Sequence, residues 1–124
     1  MIGLFLLIIS TVLKVVLSPI LYLYGVARSL LKCGFNQWNF DLAIAKDQYG
    51  NCLGKWLFND ILITNKSNHH FGNIDETISS VIGKNKKDGT LSLVGRVIDG
   101  ILELLDPNHS IDAIDETEES TKSK

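Results

Sequence analysis

LSLVGRVIDGILELL, residues 91 to 105, decides the class of fold. Its apolar residues Leu91, Val94, Val97, Ile98, Ile101, Leu102 and Leu105 recur at i, i+3, i+4 and i+7, the period of a helix with one apolar face, not the alternation of a strand. Asp106-Pro107 stops that helix, because a residue before proline is pushed out of helical conformation. The same dipeptide can open a further short helix, with Asp106 at the N-cap and Pro107 in first position. Upstream, Ile74, Ile78, Val81 and Ile82 share a face of another helix, closed by Gly83 or by the KNKKDG turn of residues 84 to 89. A third helix runs from about 42 to 63, with Leu42, Ala45, Tyr49, Cys52, Leu53, Trp56, Leu57 and Ile61 at helical spacing. Gly50 and Gly54 weaken it or admit a neighbour, and its end, FNDILIT, also reads as a short strand. Residues 64 to 73 form a polar loop. In so short a region, apolar helix faces are expected to be core.

The remainder is unevenly composed. All 14 acids lie from Asp41 onward, whereas the first forty residues hold only Lys14, Arg28 and Lys32 as fixed charges, so the net charge of -2 averages two unlike regions. Gly3 to Ala27 is apolar over more than the roughly 20 residues a membrane-crossing helix needs. Lys14 near its middle costs about 2.5–3.5 kcal/mol on insertion scales, and Pro19 calls for a kink or local rescue. Ser10, Lys14, Ser18 and Tyr22 form a thin polar stripe on one helical face. With no basic residue before the run and Arg28 and Lys32 directly after it, the positive-inside tendency places the N-terminus outside and the rest in the cytoplasm. Cys33 and Cys52 are then expected to be free thiols.

The expected architecture is therefore all-α: a membrane-anchor helix in 1–33, a juxtamembrane connector in 34–41 with Trp38 and Tyr24 as interfacial anchors, a small three- to four-helix cytoplasmic domain in 42–111, and a disordered acidic tail in 112–124. The domain is small enough to lean on the membrane, on its anchor or on another copy.

Chemistry concentrates in FGNIDETISS, residues 71 to 80. Asn73 and Glu76 have the spacing of a capping box, and Asp75 and Glu76 suit the positive end of a helix. That leaves Thr77, Ser79 and Ser80 unexplained, since hydroxyls are mediocre helix formers. Ser80 and Lys84, one turn apart, form a weak candidate for a nucleophile pair. Asp75, Glu76, Asp106 and His109 would offer oxygen and nitrogen ligands if the segment after the last helix folds back on this helix start, with His69 and His70 as spare imidazoles. No spacing demands a metal or a cofactor, and none is assigned. Phosphate-binding loops are absent from the sequence. Lys84, Lys86, Lys87 and Arg96 lack interleaved aromatics, which favours a solvated or lipid-headgroup-facing surface over nucleic acid.

The order DQYGN (47–51), FGNIDETISSVIGKNKK (71–87) and LDPNHSIDAI (105–114) resembles a group of short, uncharacterised proteins encoded by bacteriophages and prophages, which share a DQxGN-like helix, a DET[IL]SS block and a terminal DxxH. The resemblance covers roughly residues 42 to 114. It implies that Asp47, Asn51, Asp75, Glu76, Thr77, Ser79, Ser80, Asp106 and His109 belong together, and it implies no particular activity.

Three functional classes follow. The first is a membrane-anchored, phage-type accessory protein acting as an interaction module, with the bilayer, a protein partner or self-association through the membrane helix as its contacts. The second is a small metal-dependent or carboxylate/His hydrolase using Glu76, His109, Asp75 and Asp106. The third is a lysis-associated protein of holin or spanin type, suggested by the polar stripe.

Overall fold

The computed structural model describes residues 1–32 and 34–114. Among these the chain is all-helical, with six helices and no strand. They fall into two compact units, one up to Asp41 and the other from Leu42 onward.

Unit 1 is dominated by α1 (Ile2–Leu31), a helix of 30 residues, about 45 Å at 1.5 Å per residue. No residue of it is buried, and it is long and apolar enough to cross a membrane. It remains one helix through Pro19. Three of its hydroxyls are satisfied internally: Ser10 and Thr11 both donate to the Leu7 carbonyl, and Ser29 donates to that of Val26. This is how an apolar environment tolerates such side chains. The anticipated connector is helical, because α2 (Phe35–Leu53) starts within it. Trp38 explains the early start. Its ring stacks on Tyr22 at 5.4 Å and lies where a Cβ on Gly25 would be, and Asn39 accepts a hydrogen bond from the Tyr22 hydroxyl. Tyr24 is exposed.

Unit 2 takes in the second half of α2, then α3 (Lys55–Ile61), α4 (Ile78–Asp88), α5 (Leu93–Leu105) and α6, described over 109–114. The helix expected over 42–63 is broken at Gly54, and FNDILIT ends as helix plus one isolated bridge, Ile63 to Leu91. Leu91 thus precedes α5, whose N-cap is Ser92. The core is small: Leu62, Ile63, Phe71, Val81, Ile82 and Leu91, with Phe58, Ile78 and Leu102 against it.

Amides supply much of the remaining cohesion. Asn59 donates to the Phe71 carbonyl and accepts from its N–H, as a neighbouring strand would. Asn85 donates to the carbonyls of His69 and Val81 and accepts from the hydroxyls of Ser67 and Thr90. Asn51 performs the same service for residues 72–76. Every buried side-chain nitrogen and oxygen among the described residues has a partner, which such a polar interior requires.

The face of α2 turned inward is the polar one. Asn51 is fully buried, with Asp47, Gln48 and Ile44 half-buried, whereas Ala45, Tyr49, Cys52, Leu53, Trp56 and Leu57 are exposed. α4 outlasts Gly83 and ends at Gly89, whose φ of 68° is the left-handed conformation that closes helices. The segment anticipated as tail begins instead with helix: residues 112–114 belong to α6, and Ala113 and Ile114 are buried. The rest of that tail, and Cys33, lie outside the described residues; Cys52 is a free, exposed thiol.

Candidate functional site

The start of α4 gathers most of the candidate residues. The helix begins four residues later than the capping box implies, because Thr77, in extended conformation, is its N-cap and accepts from the Ser80 N–H. Asn73 caps a tight turn instead, accepting from the Asp75 N–H. Asn51 fixes the approach, donating to the Asn73 and Glu76 carbonyls at 3.1 and 2.7 Å and accepting from the Gly72 N–H at 2.9 Å. Gln48 adds a bond to the Asp75 carbonyl. DQYGN is thus the cradle of FGNIDETISS.

α6 arrives from the other side. Asn108, at φ 64°, turns the chain through a left-handed conformation that asparagine tolerates, and its N–H donates to Glu103. Ser110, fully buried, donates to Asp99 of α5. The close approach depends on Gly83: a Cβ there would collide with the Ser110 carbonyl oxygen. With the two backbones this near, His109 reaches the first turn of α4. The fold-back on which a shared site depended is therefore present, and α6 begins at residue 109, with Asp106 bound to an imidazole rather than capping through Pro107.

Two polar chains result. In the first, His109 Nδ1 lies 3.0 Å from Asp106 Oδ2, and His109 Nε2 lies 3.1 Å from Ser79 Oγ. Ser79 Oγ is also 3.4 Å from Asp47 Oδ2. With Asp106 accepting at Nδ1, a neutral ring accepts the Ser79 proton at Nε2, while a protonated ring donates there and lets Ser79 donate to Asp47. In the second chain, Ser80 Oγ donates to Glu76 Oε1 at 2.9 Å, and the same oxygen holds Lys84 Nζ at 2.7 Å. The Ser80 hydroxyl is therefore directed at a carboxylate, away from the lysine amine that a Ser/Lys nucleophile pair would use.

Asp106, His109 and Ser79 have the connectivity of a hydrolase triad. What such a triad needs next is a set of free N–H groups for a developing oxyanion. Those of Ile78 and Ser79 face the Asp47 carboxylate, and that of Ser80 is taken by Thr77. Asp47 thus places a negative charge where a reaction would build another. Burial pushes its carboxyl above the usual range, against the opposing effect of the Ser79 and Ile78 N–H bonds, the Ser79 hydroxyl and His109. The arrangement is better suited to fastening α6 to α4 than to attacking a carbonyl.

Asp47, Ser79, Asp106 and His109 come together; Glu76, Ser80 and Lys84 form the neighbouring chain; Asn51 and Thr77 position both. Asp75 is exposed and enters through its backbone. Among the described residues no three His, Cys, Asp or Glu side chains converge as metal ligands, so the proposed set of Asp75, Glu76, Asp106 and His109 is not assembled. His69 pairs with Asp88 at the far end of α4, 3.1 Å away. Gly83, Asp99 and Ser110 were not legible as site-forming residues, since a small residue in a helix carries no sign of what will lie against it. Comparisons of the chain with protein-family models, curated proteins and solved structures find no match.

Proposed function

We propose that this chain is a membrane-anchored, phage-type accessory protein that acts as an interaction module at the inner face of the membrane. The observation that carries the reading is the outer face of α5. Val94, Val97, Ile101, Leu104 and Leu105 are between 47% and 87% exposed on a unit whose own core is small. Exposed apolar faces of this size mark interaction sites on soluble units. The length and apolarity of α1 support the anchor, the basic residues Arg28 and Lys32 just after it support the inward orientation, and the DQYGN, DETISS and DPNH order supports the phage-type assignment. The hydroxyls of the α1 polar stripe contribute less to a lysis reading, since Ser10 already donates to its own helix.

In cells expressing the full chain, the protein is expected to stay with membranes through a carbonate wash, and residues beyond 42 to be cleaved by protease only from the cytoplasmic side. A photo-crosslinking amino acid in place of Leu104 is expected to yield a protein adduct in those membranes. Release into the wash removes the anchor, and absence of any adduct removes the module.

A second reading, a small hydrolase, is favoured by one observation, the 3.0 and 3.1 Å spacings through Asp106, His109 and Ser79. A fluorophosphonate that labels Ser79 in the native chain but fails with His109→Ala would establish it. The module reading expects no labelling, because Asp47 fills the oxyanion position.

A further inference from the structure

We infer that the outer face of α5 pairs with the same face of a second copy of this chain. The inference rests on the module reading and names its partner.

The spacing is the first argument. Val94, Val97, Ile101 and Leu104 are separated by three, four and three residues, the a and d positions of a two-helix seam, with the β-branched Val94 and Ile101 at a. Ile98 and Leu105 widen the strip on one side, and all six are exposed. A random apolar patch has no reason to keep this register. A helix meeting it must offer the same period, which a second copy supplies.

Charge is the second. The acids of α5 do not border the seam: Asp99 is buried and paired with Lys86 at 3.0 Å, and Glu103 is paired with the same amine at 2.6 Å. No unpaired carboxylate therefore opposes close approach of an identical face, where like charges would meet across a two-fold axis. The same inventory argues against a lipid surface as the occupant. Interfacial helices border their apolar face with Lys and Arg, whereas α5 has only Arg96.

The third is Gly100. It lies exposed at the flank of this face, one turn before Leu104, and a Cβ added there would meet nothing within 4 Å. Neither a turn nor a close contact in its own chain requires it, although glycine within a helix weakens it. What it leaves is a notch beside Leu104 at the edge of the seam, where a facing helix can come near. Membrane anchoring would confine the copies to two dimensions and raise their effective concentration.

The test uses the full chain in membranes, with the crosslinker in place of Leu104 and, separately, in place of Lys87 on the exposed side of α4. Pairing predicts an adduct of twice the 13.8 kDa chain mass from position 104 and none from 87. Ile101→Asp and Gly100→Leu should each reduce that adduct at least tenfold while helix content and membrane retention stay unchanged. Single-chain counting in supported bilayers should show two chains per spot in the native protein and one in Ile101→Asp. A position-104 adduct of another mass overturns self-pairing and leaves the module reading intact. Absence of any adduct overturns both. Two chains per spot that persist in Ile101→Asp would assign the pairing to α1, and this also overturns the inference.

Discussion

Along α4 the hydroxyls of Ser79 and Ser80 and the amide of Asn85 are buried, whereas along α5 Leu104 is 87% and Leu93 72% exposed. Neighbouring helices of one unit thus invert the usual placement of polar and apolar groups. The difference comes from what each helix must hold. α4 is the hub on which α2, the 64–77 loop and α6 converge, and their backbones bring N–H and C=O groups that only polar side chains can satisfy. α5 needs just one edge, Gly95, Asp99 and Leu102, to close the unit, and its remaining circumference is left for something else.

The comparison breaks most visibly at Asn51. Asn51→Ala strands two carbonyls and one N–H in a buried position, and we expect a loss of about 3 kcal/mol or more in chemical denaturation of the detergent-solubilised chain. Ile101→Ser, by contrast, should change the stability of the dissociated chain by no more than about 0.5 kcal/mol. If the two variants cost the same, the inversion has no energetic meaning.

Gly83→Ala is expected to come second. The new methyl would meet a backbone oxygen, which cannot rotate away, so α6 must shift; about 1–3 kcal/mol is the usual range for such overpacking. Hydrogen exchange should show the loss concentrated in 109–114, with the Ile82 and Leu91 core still protected. His109→Ala follows, at about 1 kcal/mol, since the histidine is half-exposed and gives up its bonds to Ser79 and Asp106. A variant that loses nothing in stability but abolishes a chemical activity would transfer the site to the hydrolase reading.

How much of this was legible beforehand differs between the same regions. The periodicity of 91–105 identified α5, and the apolar run identified α1, because both signals depend on the helix alone. Which face would be covered was not legible. The apolar ladder in α5 and the Leu53, Trp56, Leu57 strip suggested core, while the true inward stripe of α2 is Asp47, Gln48 and Asn51. A polar stripe reads as solvated unless the backbone it will satisfy is already known, and that backbone is a loop 22 to 25 residues away in sequence. The hydroxyls left over from the capping box have distinct roles for the same reason: Thr77 caps, Ser80 joins Glu76, and Ser79 meets a histidine 30 residues later.

The smallest expected effect is a difference in pH slope. Burial holds Asp47 above the usual carboxylate range, so the folded chain binds its proton more readily than the unfolded one. Its contribution is favourable below the ordinary value of 3.8 and is lost as pH rises through the raised one. Glu103 behaves oppositely. The Lys86 ammonium holds it below its ordinary 4.5, so its contribution is present above that value and is lost as pH falls through the lowered one. Stability of the native chain relative to Asp47→Asn should therefore improve as pH falls toward 4, while its stability relative to Glu103→Gln should decline as pH falls below 4.5. Opposite slopes in the two difference curves would assign the buried polar end and the paired edge of α5 to separate electrostatic regimes. Parallel slopes would mean that Asp47 is stabilised as an anion by the α4 N–H groups more than it is penalised by burial, and the objection to a reactive Ser79 would then strengthen.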